Sequence, residues 1–388
     1  MTQINVIEKP QLSKTRNSNL ELFRIIVMIL IVAHHYVVNS GLTAADGPIY
    51  ADPLSWRSLF LLLLGAWGKI GINCFVLISG YFMCTSQITA KKFAKLLFEV
   101  MFYRIVINCI FWISGYATFS LGNLVEVVLP IMSIGTGFTS TYLIFFLCIP
   151  FLNILIKGMN EKQHIRLLLV CGFTYVFLGT VPKMSVTMNY VSWFIVLYLL
   201  ASYVRIYPKK IFSSAKIWGW ATFVSVIISA ISVVACAWLG EKLDRIMAFM
   251  FVTDSNTFLA VAVGFCSFMF FKNLNVKTSR VINAVGATTF GVLLIHANSA
   301  TMRAWLWKDV LDNVGMYSSD WMPLHAIGIT LAIFAVCAAI DFLRISFIEK
   351  PFFKLWDKHW DKVVAWYTKI ETNICKKLKI EENNKGKV

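Results

Sequence analysis

Ten mostly apolar stretches, separated by short polar segments, follow one another along this chain. The hydrocarbon core of a bilayer takes about twenty apolar residues per helix, so each stretch reads as one crossing. They run approximately Leu20–Ser40, Ser58–Cys84, Phe93–Ala117, Ser140–Ile156, Arg166–Val181, Tyr190–Ile206, Ile217–Leu239, Thr257–Phe271, Ala284–Ala304 and Pro323–Ser346. The expected fold class is all-α: a polytopic membrane bundle of about ten transmembrane helices. The second stretch is over-long and carries Lys69 and Asn73. That predicts a bend, or an interfacial helix ahead of it, since splitting it leaves a first part too short to span.

Composition removes the soluble alternatives. Of 388 residues 58% are hydrophobic and only 14% charged, against roughly 25% charged in an ordinary soluble domain. Mean hydropathy is +0.70. Such a chain cannot cover itself with polar surface in water, which excludes a soluble globular domain, a disordered tail and a secreted disulfide scaffold. The nine cysteines show no CxxC spacing and most lie inside apolar runs, so they read as small core residues rather than disulfides or metal ligands. No metal is expected.

Basic residues orient the bundle. With the N-terminus inside, the inner segments hold 27 Lys and Arg and the outer loops 6, namely Arg57, Lys183, Lys242, Arg245, Arg303 and Lys308. The bias alternates loop by loop, so both termini are expected in the cytoplasm. The first apolar run follows a polar segment and has no small-residue cleavage site behind it, which predicts an uncleaved first span. The net charge of +16 is then topogenic and calls for no nucleic acid. Residues 1–19 read as a cytoplasmic segment, 20–349 as the membrane domain, and 350–388 as a basic cytoplasmic tail. In that tail Trp356, Trp360 and Trp366 interleave with lysines, as in an interfacial helix lying on anionic membrane lipids. The expected location is the cell membrane, as a multi-pass protein.

Charge inside a span costs at least about 2.5 kcal/mol for an Arg at a helix centre, which marks such residues as functional candidates. The first span is the richest, with Glu21, Arg24, His34, His35 and Asn39. Arg24 and His35 are eleven positions apart, hence within about 20° of one face and about 16 Å apart along the axis. His34 points some 80° away from Arg24 by the same arithmetic. An Arg near a helix start can also simply snorkel or pair with Glu21 at i,i+3. Ser79-Gly80-Tyr81 near the inner end of the second span reads first as close packing through small residues. His296 is a further imidazole deep in an apolar helix, Asp341 and Arg344 are spaced to pair, and Glu349-Lys-Pro351 closes the last span. Arg104 lies within the third span.

Together these residues resemble acyltransferase family 3 membrane proteins. Arg24 and His35 with ten residues between them match that family's signature in the first span. The run Phe75…Ser79-Gly80-Tyr81 after Gly71, Leu293-Leu-Ile-His296 with Leu at the usual Tyr, and Glu349-x-Pro351 resemble its later motifs in the same order. The resemblance implies transfer of an acyl group, usually acetyl from acetyl-coenzyme A, to a hydroxyl of a cell-surface or lipid-linked carbohydrate. It implies Arg24 and His35 as the essential pair. Acetyl-CoA would be a co-substrate, and no permanently bound cofactor is expected. Many relatives carry a C-terminal extracytoplasmic domain, whereas here only the basic tail follows the last span, which suggests a stand-alone enzyme or one served by a separate extracytoplasmic partner.

The chemistry fits that pattern. Arg24 at the inner mouth would bind a phosphate or carbonyl oxygen of the donor. His35, three turns up the same face, would act as general base on the acceptor hydroxyl, with a covalent acyl-His as the variant. Ser79, Tyr81 and His296 are further candidates for positioning or for stabilising an oxyanion, and Glu349 reads as structural. The competing reading is a transporter or flippase for a lipid-linked sugar or polysaccharide. Transporters often show internal repeats and Gly/Pro-broken helices in matching halves, and no repeat is evident here. A reporter enzyme fused after Lys387 should be active only in the cytoplasm. An extracytoplasmic C-terminus would require an odd number of spans.

Overall fold

A computed structural model of the protein describes residues 16–377 apart from 133, 135–136, 182–183 and 185–188. The segment before Arg16, Lys183 and the tail beyond Lys377 therefore lie outside the described residues. Among those described the fold is helical without strands, and the chain divides into two compact units, residues 1–338 and 339–388.

The first helix, α1 (Ser18–Val38), begins two residues earlier than the sequence suggests because Asn17 caps it, its side chain accepting from the N–H groups of Asn19 and Leu20. Next come α2 (Trp56–Gly65), α3 (Gly68–Met83), α4 (Ala90–Ile113), the short α5 (Leu121–Val128), α6 (Phe138–Gly158) and α7 (Glu161–Cys171). The chain continues through α8 (Tyr190–Ile206), α9 (Ala215–Leu243), α10 (Phe258–Lys272), α11 (Arg280–His296), α12 (Ala300–Ala304) and α13 (Met322–Arg344). Six segments are long and apolar enough to cross a membrane: Ser18–Val38, Trp56–Met83, Ala90–Ile113, Phe138–Gly158, Ala215–Leu243 and Met322–Asp357. A seventh is added if Arg280–His296 and Ala300–Ser318 count together, and α8 and α10 are shorter apolar helices. The expected stretch Arg166–Val181 starts inside the polar α7 and continues through a wider turn at Gly172–Phe177. The protein is a multi-pass membrane protein in which six described segments, or seven with the bent pair, reach spanning length against the ten expected. Ile110 and Ile113 on α4, and Phe151 and Ile154 on α6, lie exposed as on a lipid-facing surface.

The core is organised around α1, which packs on α2, α3, α10 and α11. Glycines permit that approach. A Cβ on Gly71 would stand 2.7 Å from Ile31, one on Gly65 2.9 Å from Val37, and one on Gly68 2.1 Å from the His34 ring. The start of α1 is tied to the chain entering α11: Ser18 Oγ donates to Asn283 Oδ1 at 2.9 Å, and Val276 N donates to Asn19 Oδ1 at 3.0 Å.

Two helix breaks are met by histidines; the first falls in the over-long second stretch, where the sequence predicts a bend, and the second departs from the sequence reading. The second apolar stretch breaks at Ala66–Trp67, between α2 and α3. His34 Nδ1 donates to the freed Gly65 carbonyl at 2.5 Å. The stretch read as one continuous helix over Ala284–Ala304 instead stops at His296 and turns by 93°. There His296 Nδ1 donates to the Val292 carbonyl (2.6 Å), and Asn298 Nδ2 to the Leu294 carbonyl (2.9 Å). Ser299 Oγ then caps α12 by accepting from Met302 N at 3.1 Å. Side chains thus replace the water that a bilayer denies to a helix end.

The second unit holds Arg344, α14 (Lys350–Asp357) and α15 (Trp360–Lys377). Arg344 Nε donates to Asp341 Oδ1 at 2.7 Å and its Nη1 to Glu349 Oε2 at 2.8 Å. The expected Asp341–Arg344 pair is present, and Glu349 completes a buried three-membered ion group. Trp356 and Trp360 lie ring to ring at 5.7 Å.

Gly68→Ala should overpack the His34 contact, at a cost of about 1–3 kcal/mol. The expected result is a clearly lower midpoint in thermal unfolding of the detergent-solubilised protein. Gly158→Ala, where a new Cβ meets nothing within 4 Å, should leave the midpoint unchanged.

Candidate functional site

Arg24, Met28, Ile31, His35 and Val38 recur at intervals of three and four, so they form one face of α1. That face is a wall of a cavity of about 690 Å³ completed by residues of α3, α4, α6 and α11, a volume within the range of about 300–1,000 Å³ typical of small-molecule sites. Its charge is one-sided. Arg16, Arg24, Lys69, Arg104 and Arg303 line it, and no aspartate or glutamate is among its described lining residues.

At the end where α1 finishes, His35 Nδ1 and His296 Nε2 are 2.8 Å apart. The roles in this bond follow from the neighbouring one. A carbonyl can only accept, so His296 Nδ1 carries the hydrogen given to Val292. In the uncharged pair His296 Nε2 must then accept from His35 Nδ1–H. This leaves the lone pair on Nε2 of His35, which is a residue of the cavity wall. Sequence placed His35 and His296 in separate motifs, 261 residues apart, and the fold joins them. His34, also on the cavity wall, is committed to the Gly65 carbonyl and packed on Gly68.

Around this pair stand cations. Lys69 Nζ donates to the Tyr190 hydroxyl at 2.9 Å. Arg303, which the sequence assigned to an outer loop as an orienting charge, is brought onto the cavity wall by the turn after His296, within electrostatic reach of both His35 and His296. The signal that would have found it is the Asn298-Ser299 pair, which marks a helix stop and a new cap.

The other end of the face holds Arg24. Its Nη1 is 3.4 Å from Glu21 Oε1, and Arg16 Nη1 is 3.4 Å from Glu21 Oε2. Arg24 Nε is buried without a hydrogen-bond partner. Arg24 is also one of the residues that line the cavity. Ser79 also lines the cavity, its Oγ donating to the Phe75 carbonyl and accepting from the Tyr142 hydroxyl, both at 2.9 Å. Tyr142 had no signal in the sequence. Tyr81 stands apart from the described cavity wall: its hydroxyl accepts from Arg205 Nη1 at 3.0 Å, with the guanidinium carbon 4.8 Å from the ring centroid.

Fold and cavity together define a multi-pass membrane protein with a cavity lined by cationic side chains and by a hydrogen-bonded pair of imidazoles. A family described as an acyltransferase domain has a sequence model that matches residues 17–342, and the chain belongs to that family, acyltransferase family 3. No curated protein and no solved structure matches it.

The two adjacent histidines should separate by assay. His35→Ala is expected to abolish acyl transfer at normal abundance. His296→Ala should lower the rate by about 10²-fold or more by releasing the tautomer of a general base. His34→Ala should lower thermal stability while retaining most of the rate per folded molecule. Rates and unfolding midpoints on the same purified samples decide it.

Proposed function

We propose that the protein is an O-acetyltransferase of the plasma membrane. It moves acetyl from acetyl-coenzyme A to a hydroxyl of a cell-surface or lipid-linked carbohydrate. In this reading all ten apolar stretches cross or enter the bilayer and both termini are cytoplasmic. The basic tail lies on anionic lipid, with residues 20–349 as the transferase domain. The observation that supports it most is the Val292–His296–His35 hydrogen-bond chain, which leaves one imidazole nitrogen as a base at the wall of a cationic cavity.

Arg24 and Arg16 mark the donor end, where a polyanionic coenzyme meets guanidinium groups suited to phosphate. Ser79, fixed by Tyr142, adjoins the same chamber. At the far end the acceptor hydroxyl gives its proton to His35 Nε2 as its oxygen attacks the thioester carbonyl. Arg303 and Lys69 offset the negative charge on the tetrahedral oxygen. Collapse breaks the carbon–sulfur bond, and the leaving thiolate takes the proton back from His35. His296 holds the ring throughout, the role an orienting partner plays in other base-assisted acyl transfers. Purified protein supplied with radiolabelled acetyl-coenzyme A and a panel of surface glycans should form a labelled ester. Movement of the sugar across vesicles without ester formation would instead identify a transporter.

Arg24 gives the sharper test. A lipid anchor needs only a long cationic stem, and lysine supplies one. A donor site that uses the planar guanidinium loses its bidentate geometry with lysine. Arg24→Lys is therefore expected to raise the KM for acetyl-coenzyme A and leave abundance and the acceptor KM unchanged, measured as initial rates in membranes with matched protein. Wild-type donor kinetics in Arg24→Lys would return Arg24 to an anchoring role.

A further inference from the structure

A second, smaller cavity of about 160 Å³ adjoins the first, and the two share Arg104 and Asn298 in their walls. It lies between α4, α5 and the turn leading into α12. Its walls carry Asn108 and Trp112 from α4, Asn123 and Glu126 from α5, and Asn298 and Thr301 from the turn and α12. Amides, a carboxylate and a hydroxyl both donate and accept hydrogen bonds or accept them strongly. Sugar hydroxyls require partners of both kinds, and an indole offers an apolar face beside them. Asn298 follows His296 by two residues, so this vestibule adjoins the proposed base.

Its cover has a distinctive construction. On α5, Leu121, Val125 and Val128 share one face, and all three are exposed. Asn123 and Glu126 lie on the opposite face and line the vestibule. An exposed apolar face on a short helix suits the boundary between headgroups and acyl chains. Asn123 and Glu126 are themselves exposed, and the helix is held at its last turn by Arg104, whose guanidinium donates to the backbone carbonyls of Glu126 and Val127. Cations are favoured at a helix C-terminus. The vestibule is therefore bordered by a short helix whose exposed apolar face suits a lipid interface.

We propose that this vestibule is the acceptor subsite, binding the hydroxyls of a saccharide that enters beside α5 and presents one hydroxyl to His35 past Asn298. This rests on the acyltransferase reading above and adds the place and chemistry of acceptor recognition.

The test uses the full-length protein in membranes and a set of diazirine-bearing octyl glycosides (glucoside, galactoside and N-acetylglucosaminide). Labelled peptides are mapped by mass spectrometry. At least one probe should label α4 or α5 saturably. The pair Glu126→Gln and Thr301→Val changes hydrogen bonding with little change in shape at positions that are not fully buried. It should weaken labelling about ten-fold, the scale of one hydrogen bond to a charged group. Competition by unlabelled octyl glycoside far better than by free sugar identifies a lipid-linked acceptor, and equal competition a free glycan. Wild-type labelling in the double variant, saturable labelling only elsewhere, or none with any probe would overturn the subsite. In transfer assays the double variant should raise the acceptor KM about ten-fold with the donor KM fixed, and an unchanged acceptor KM would likewise overturn it. Labelling needs no acyl donor. Vestibule labelling without ester formation would therefore sink the transferase reading while leaving the sugar site standing.

Discussion

Inside a bilayer a freed backbone carbonyl has no water to turn to, and this bundle meets that constraint with imidazoles. His34 donates to the Gly65 carbonyl at the break after α2, and at the end of α11 His296 donates back to the Val292 carbonyl while Asn298 donates to that of Leu294. The second bond reaches further than the first. By fixing which nitrogen of His296 carries hydrogen, it also fixes the tautomer of His35, a residue of the chamber wall. A hydrogen bond within the last turn of α11 is thereby coupled to a side chain of α1.

The break at His296 also redistributes charge. Were α11 to continue straight, Arg303 would sit about two turns beyond His296 along its axis. The 93° turn brings it instead to the cavity with Lys69 and Arg104. The chamber then holds guanidinium groups at both ends and no described carboxylate on its wall. Such an arrangement is costly in an empty apolar bundle and sensible around an anionic ligand and a developing oxyanion. Glu21, between Arg16 and Arg24, offsets part of the positive charge at that end of the chamber without being among its described lining residues. The glycines that bring α1 close to α2 and α3 keep its polar face in contact with the rest of the site.

Sequence alone determined a good deal. Hydropathy established a helical membrane protein, because apolar runs of that length have few other solutions. The spacing of Arg24 and His35 put both on one face of α1, since an eleven-residue interval is nearly three whole helical turns. The ordered motifs pointed to the family to which the chain belongs. Each of these signals is local, carried by residues on one element or by motif order. The tertiary structure decided what depends on contacts between elements far apart in the chain. It joined His296 to His35, turned Arg303 inward and tied Tyr142 to Ser79. It also placed Tyr81 on Arg205, outside the described chamber wall. Helix ends fell where side chains could satisfy carbonyls rather than where hydropathy faded, which is why a stretch that reads as continuous stops at His296. A hydrogen bond across 261 residues leaves no period in the sequence, because its geometry exists only once the helices have packed.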